Sequence, residues 1–178
     1  NYTRLTYIPL ERPKSILGNF GDILKNRSSF RGFSSKPVSL EELSKLLYFS
    51  AGITKNLKTP IENSRRNYPS AGGKFPLEIY PLILHGKNIN RGLYHYNVLE
   101  HSLEVLLANI DDESVKNIWM SQAWFRKASI IFIITSVFER TSSKYGQRGI
   151  GYSLIEAGHL GQNFYLVSQA LGIGCSAI

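Results

Sequence analysis

Cysteine is nearly absent. The one residue, Cys175, excludes an internal disulfide framework and a cysteine-rich zinc site. Nothing beside it in the sequence would activate a thiol, so it reads as a small buried hydrophobe. Long apolar runs are missing too. No stretch approaches the roughly 20 residues of a membrane span, and the longest, Ala128–Val137, suits a buried strand. No secretory signal is visible, which makes the cytosol the expected compartment and empties the Asn1-Tyr-Thr3 and Asn26-Arg-Ser28 sequons of meaning. The phosphate-cradling Gly-rich Lys-Ser/Thr motif and the dinucleotide fingerprint are both lacking. His85, His95, His101 and His159 show no metal-ligand spacing and read as structural. No Ser/His/Asp set or paired-carboxylate site stands out.

Acids are scarce: 13 against 21 lysines and arginines, for a net charge of +8. Such a balance suits nucleic acid, an acidic membrane or a phosphorylated ligand. The excess is uneven, with seven basic and two acidic residues in the first 36 positions. No recognised nucleic-acid motif accompanies it, so neither nucleic acid nor membrane is expected as a partner.

What is present is an ordinary globular composition, 43% apolar and 19% charged over 178 residues. A chain of this length buries roughly 70% of its unfolded surface and fills one domain. Residues 1–26 have no strong period and read as an N-terminal extension. Ser39, with Glu42 three residues on, is a capping box, and Leu40, Leu43, Leu46 and Leu47 form one face of a helix that Gly52 ends. Residues 54–67 read as a basic surface loop. Leu77–Leu84 and Gly92–Tyr96 read as a strand pair, His101–Ala108 as a short helix, and Asp111–Glu113 as the start of another helix reaching about Lys127. Ile130–Val137 reads as a buried strand and 139–151 as a polar loop. Leu154–Gly172 is the clearest helix, with apolar residues three and four apart, and Ile173–Ile178 starts a strand. Helices and strands mix without regular βαβ alternation, which favours an α+β fold with an antiparallel or mixed sheet.

Four features carry chemistry. Arg27, Ser28, Ser29 and Arg31 offer forked guanidinium donors and hydroxyls to a phosphate and a polar ring edge; alone they also read as a solvated helix start. Pro69-Ser70-Ala71-Gly72-Gly73 is a small-residue loop whose N–H groups can meet a flat ligand; alone it reads as a plain turn. Gly158 and Gly161 interrupt a helix at a cost of up to about 1 kcal/mol each, suggesting close approach by a backbone or a flat ligand. Lys144-Tyr145 suits shared proton abstraction if both pKa values are lowered; alone it reads as a surface lysine beside a packing tyrosine.

Taken in order, these segments resemble a known family. Arg27-Ser-Ser-Phe-Arg-Gly-Phe33 resembles the N-terminal motif of flavin nitroreductases. Arg65-Arg-Asn-Tyr-Pro-Ser-Ala-Gly-Gly-Lys-Phe-Pro-Leu-Glu78, Gly92-Leu-Tyr-His-Tyr96, Lys144-Tyr-Gly-Gln-Arg-Gly149, Glu156-Ala-Gly-His-Leu-Gly-Gln-Asn163 and Ala170-Leu-Gly-Ile-Gly174 resemble the SagB-type branch, the thiazole/oxazole-forming dehydrogenases. The resemblance implies an FMN-binding α+β fold over 27–178 and a homodimer with FMN at the subunit interface. It implies that Arg27, Ser28, Ser29 and Arg31 hold the phosphate and pyrimidine edge, that Pro69–Gly73 lines the isoalloxazine, and that Gly158 approaches the ring. It further implies that Lys144 and Tyr145 are catalytic in oxidising azolines to azoles in a ribosomally made peptide, in company with a cyclodehydratase. A generic NAD(P)H-dependent nitroreductase or flavin reductase acting on a small molecule, and a non-catalytic flavin-fold scaffold, are the alternatives. Family members continue with a further C-terminal segment, so the domain is expected to be incomplete at that end, and Gly151 stands where the family often has arginine.

Overall fold

The computed structural model describes residues 5–14, 18–55, 64–118 and 123–178. In chain order the regular elements are β1 (Tyr7–Pro9), α1 (Phe20–Asn26), β2 (Val38–Ser39), α2 (Leu40–Ala51), β3 (Ile53–Lys55), β4 (Arg65–Arg66), β5 (Leu77–Ile83), β6 (Gly86–Lys87), β7 (Gly92–Asn97), β8 (Ser102–Ala108), α3 (Asp112–Ile118), β9 (Ile130–Ser136), α4 (Phe138–Tyr145) and α5 (Arg148–Ala170). Five strands make an antiparallel sheet in the order β1-β8-β7-β5-β9. The expected α+β architecture with helices flanking an antiparallel sheet is what the chain adopts. Residues before position 27 are not separate from it: β1 pairs with β8, and Leu10 lies in the core.

Strand alternation sorts the side chains onto two faces. Leu77, Ile79 and Ile83 of β5, Tyr94 and Tyr96 of β7, and Leu103 of β8 join one core with Leu43 and Leu47 of α2 and Leu160 and Phe164 of α5. The Phe132 and Phe164 rings stack at 4.4 Å within it. Leu82 and Leu84 turn to the other face and pack with Val115 of α3. That face also takes Glu78, His95 and Glu104, one from each of three neighbouring strands, and these three are joined by hydrogen bonds.

The capping box forms as expected. Ser39 Oγ accepts the Glu42 N–H at 3.1 Å, and the Ser39 N–H donates to Glu42 Oε2 at 2.8 Å. Ser39→Ala should therefore cost about 0.5–2 kcal/mol, read as a lower urea midpoint with an unchanged slope.

Five readings need correction. The stretch expected as a helix over His101–Ala108 is strand from Ser102 to Ala108, with His101 in the turn before it. Its helix-forming leucines are overridden by pairing with β7 and β1, and the turn before it is set by Asn97, whose Oδ1 accepts the Leu99 and Glu100 N–H groups. The stretch 139–151 is not a loop but most of α4 and the first turn of α5, with Gly146 (φ 55°, ψ −140°) as the break between them. Gly149 lets the two helices meet, because a β-carbon there would lie 2.9 Å from the Ser142 nitrogen. β9 is a half-exposed sheet edge, not a buried strand. The helix begun at Asp112 is α-helix over Asp112–Ile118, but Ala123–Lys127, expected as its end, is a 3₁₀ turn. Residues 173–178 form no strand, and Phe30 N–H donates instead to the Cys175 carbonyl at 2.8 Å. Part of the basic loop expected over 54–67, residues 56–63, lies outside the described residues.

Candidate active site

The Pro69–Gly73 segment leaves β4 and turns through a single 3₁₀ turn, Ala71–Gly73, before β5. Gly72 sits at φ 63°, a left-handed conformation that an L side chain rarely adopts. Glycine is needed there for a second reason. A β-carbon on Gly72 would lie 2.7 Å from Tyr145 Oη and 3.1 Å from Lys144 Nζ. Both members of the pair thus come to the same point over the loop, from the last turn of α4. The lysine ammonium lies 5.3 Å from the Tyr145 ring centroid, and Tyr152 of α5 packs edge-on against that ring at 5.0 Å. The reading of these residues as a loop is corrected, but their meeting with the small-residue segment is real in three dimensions.

Beneath the loop lies Glu156 of α5, a residue that sequence reasoning quoted within a motif without giving it a role. It is 2% exposed, and its Oε1 has no hydrogen-bond partner. Burial pushes its carboxyl up to about 6, against the opposing pull of the Ser70 hydroxyl and the Arg66 charge. Ser70 Oγ also accepts the Phe75 N–H at 2.8 Å. Its hydroxyl is therefore engaged in shaping the loop from inside. About two turns along the same helix face, Asn163 Nδ2 donates to the Ser50 and Asn67 carbonyls, both at 3.0 Å, which ties α5 to the end of α2 and to the approach of the loop. The signal for Glu156 was an acid in the middle of an otherwise apolar helical face.

Glu156 has a definite pH signature. Its folded pKa is raised above the usual 4.5 to about 6, so its contribution to stability is fully present below about pH 4.5 and is lost as the pH rises to and through about 6. Glu156→Gln should flatten that decline and leave the variant more resistant to urea than the parent at pH 7–8. Denaturation midpoints measured across pH 4–8 check this.

The Arg27–Arg31 segment lies elsewhere. Arg27 caps the end of α1 and rests over the Tyr165 ring at 5.4 Å. Ser29 Oγ and Tyr165 Oη are 3.0 Å apart, and the Ala177 N–H donates to the same Oη at 2.7 Å. Burial alone would raise that phenol's pKa, but these hydrogen bonds outweigh it and lower it. Arg31 lies 5.7 Å from the Trp124 ring, and Ser28 is exposed. Glu156 and Tyr165 are nine residues apart, about 14 Å along the helix axis. Gly158, Gly161 and Tyr165 recur at helical spacing on one stripe of α5. Gly158 is turned about 200° from Glu156, so it belongs to the Arg27–Ser29 side and not to the loop side. A β-carbon on Gly158 or Gly161 would meet nothing within 4 Å. The residues in question therefore gather on two faces of one helix: Arg27 and Ser29 at Tyr165 on one, the stripe toward which Gly158 is turned, and Ser70, Gly72, Lys144, Tyr145 and Glu156 on the other.

Among the described residues no group of three or more His, Cys, Asp or Glu is placed to hold a metal, and no helix is long and apolar enough to cross a membrane. Cys175 is partly buried, and burial pushes its thiol up. His101 is buried between Ser44 and Tyr96, and burial lowers its pKa to about 4, which makes it a structural, neutral ring.

Residues 24–178 match the model of the Nitroreductase family, and the chain belongs to that family, whose members generally bind flavin. Among its relatives, the nitroreductase-type protein MJ1384 of Methanocaldococcus jannaschii is 34% identical over 157 residues, covering 88% of this chain and 76% of its own. The trifolitoxin-processing protein TfxB of Rhizobium leguminosarum bv. trifolii is 28% identical and the microcin B17-processing protein McbC of Escherichia coli 30% identical, over 78% and 61% of this chain. The chain spans only 39% and 42% of those two proteins. Among solved structures, a nitroreductase-type protein of Ralstonia eutropha superposes with a TM-score of 0.72 at 24% identity, covering 93% of this chain and 72% of that one, a likeness of fold. The Escherichia coli microcin synthetase McbBCD complex with truncated pro-MccB17 superposes at 0.65 with 28% identity, covering 92% of this chain and 64% of that one.

The residues present fit a flavin. Among the described residues the Arg27 and Arg31 guanidinium groups make ring contacts only and have no carboxylate partner, as an anion site requires. The stripe above Gly158 and Gly161 is open, whereas the space beside Gly72 is taken by Tyr145 Oη and Lys144 Nζ.

Proposed function

We propose that this chain is the flavin domain of an FMN-dependent oxidase that converts azoline rings to azoles in a ribosomally made peptide. The observation that carries the reading is the convergence of Lys144 Nζ and Tyr145 Oη over Gly72. The likeness to microcin- and trifolitoxin-processing proteins supports the peptide substrate and a place beside a cyclodehydratase.

Ring aromatisation removes two hydrogens: a hydride leaves one ring carbon and a proton leaves its neighbour. FMN, when bound, would supply the hydride acceptor, with oxygen as the final oxidant. The proton falls to the Lys144-Tyr145 pair, which stands on the exposed side of the loop within reach of an entering ring. Pro69–Gly73 gives the flat cofactor a surface without bulk, while Ser70 and Glu156 hold that surface from beneath. Arg27, Ser28, Ser29 and Arg31 bind the phosphate and the pyrimidine edge, and Gly158 keeps the helix clear. These two half-sites lie on different faces of α5, so a homodimer, in which each protomer's loop side meets the other's arginine side, completes the pocket. A cytoplasmic location accords with oxidation of a peptide before export.

The test is direct. The purified full-length protein is mixed with FMN and its visible spectrum recorded, then incubated with a synthetic thiazoline-containing peptide in air. The expected outcome is bound-flavin absorption and loss of the mass of two hydrogens per ring. Absence of flavin peaks overturns the reading. A second reading, an NAD(P)H-dependent nitroreductase, is favoured by the 34% identity to the archaeal protein over most of the chain. It predicts steady NAD(P)H oxidation with quinones that Lys144→Ala leaves unchanged.

A further inference from the structure

The apolar strand β9 and the Lys-Tyr pair lie beside a polar chain that neither core absorbs. On the sheet face away from α2 and α5, His95 is 6% exposed and lies between two carboxylates, with Nδ1 2.7 Å from Glu104 Oε2 and Nε2 2.8 Å from Glu78 Oε2. Asn97 Nδ2 donates to the other Glu104 oxygen at 3.0 Å. The other Glu78 oxygen, Oε1, accepts from Arg140 Nη1 of α4 at 2.5 Å. The same Arg140 nitrogen donates to the Phe75 carbonyl at 3.1 Å.

Phe75 is where this chain reaches the active-site loop. It sits at φ 45°, a conformation costly for a bulky residue and kept only where surroundings impose it. Its two backbone groups are both held by side chains: the N–H by Ser70 Oγ and the C=O by Arg140. Its ring is covered by the Arg66 guanidinium at 4.6 Å and met edge-on by Tyr68 at 5.7 Å. Arg140 stands one helical turn before Lys144. A single guanidinium thus fixes the exit of the glycine loop and the helix that carries the pair, and three strands hold the carboxylate it rests on.

We propose that Arg140 is a positioning residue for the Lys144-Tyr145 pair, held by the Glu78–His95–Glu104 chain and acting by locking α4 to the Phe75 carbonyl. This rests on the reading of that pair as the proton acceptor. Electrostatics agree with it. Burial opposes charge on both His95 and Glu78, yet their mutual hydrogen bonds outweigh it, raising the imidazole and lowering the Glu78 carboxyl, with Arg140 adding to the latter. The groups facing His95 are Glu78 and the Tyr80 ring from β5 and Glu104 from β8. Arg140 therefore meets a carboxyl group whose ionised form its surroundings favour.

The full-length protein is tested as Arg140→Ala, Arg140→Lys and Lys144→Ala, with the thiazoline peptide as substrate and hydrogen exchange by mass spectrometry. Arg140→Ala should lower kcat by roughly 10²-fold, the cost of a misplacement near 1 Å, with KM and the unfolding midpoint little changed. Exchange should quicken in 138–146 and not in the sheet. Arg140→Lys, whose ammonium can serve both oxygens, should restore most of the rate. If Lys144→Ala is slow but Arg140→Ala has the parent's kcat and exchange, the positioning role is overturned and the pair's role stands. Should Lys144→Ala itself oxidise the ring at the parent's rate, the reading of the pair falls and the positioning role with it.

Discussion

Lys144→Ala is expected to slow ring oxidation by roughly 10²–10⁴-fold, the range of a positioned general base or acid. Flavin binding and the unfolding midpoint should stay near those of the parent. The reason lies in where the side chain ends. Lys144 is exposed on the last turn of α4, so its removal empties no core, and its ammonium stops at the point that a Gly72 β-carbon would fill. Tyr145→Phe removes only the hydroxyl from that point and keeps the ring packed on Tyr152, so it should slow the reaction without loosening α4. If the two act as one proton-accepting unit, the double variant should be little slower than the worse single one, because residues acting as a unit are strongly non-additive. The measurement is single-turnover flavin bleaching with the thiazoline peptide, alongside NAD(P)H oxidation with a quinone. Loss in the first assay with no change in the second separates azoline oxidation from general flavin reduction.

Leu160→Ala should lower stability by about 2–5 kcal/mol, the range for truncating a buried leucine. Leu160 is 0% exposed and packs in the core between α5 and the sheet. Removing three carbons leaves a cavity in the cluster that Leu160 shares with Leu77, Ile79 and Phe164. The control is Leu154→Ala. That residue is 68% exposed on the same helix and should stay within about 0.5 kcal/mol of the parent. Urea titration at one pH suffices for both. Leu160 stands one turn beyond Glu156, so the variant should also loosen the loop that Glu156 supports. A lower affinity for added FMN in Leu160→Ala than in Leu154→Ala would register that coupling.

Local chemistry was legible in the sequence wherever it acts within a few residues. The Ser39–Glu42 box is such a case: both hydrogen bonds form across three residues, so no distant contact was needed to place the start of α2. The helical face of α5 and the pairing of β5 with β7 were legible for the same reason, through their periods. His101–Ala108 was misread because its leucines favour a helix in isolation, and only the partners on either side of β8 reverse that preference. The Lys144-Tyr145 segment was misread as loop because a short, polar helix has no buried stripe of its own; α4 is held by α5 through Gly149 and by Arg140 on Glu78 and Phe75.

The candidate site divides in the same way. Arg27, Ser28, Ser29, Arg31, the Pro69–Gly73 loop and Lys144-Tyr145 stand out along the chain because each is a compact run of unusual residues. Their distribution over two faces of α5 does not stand out, since it depends on a turn of the helix and a length of about 14 Å that no linear spacing reports. Glu156 and Arg140 were invisible as site residues because an acid in a helix and an arginine in a polar stretch are ordinary until burial and a partner are known. The sequence by itself thus determined the family, the α+β class and the runs of chemistry-bearing residues, all consequences of short-range pattern. Only the tertiary structure decided which of those runs meet, which half-site each belongs to, and what holds them, because those depend on contacts between residues tens of positions apart.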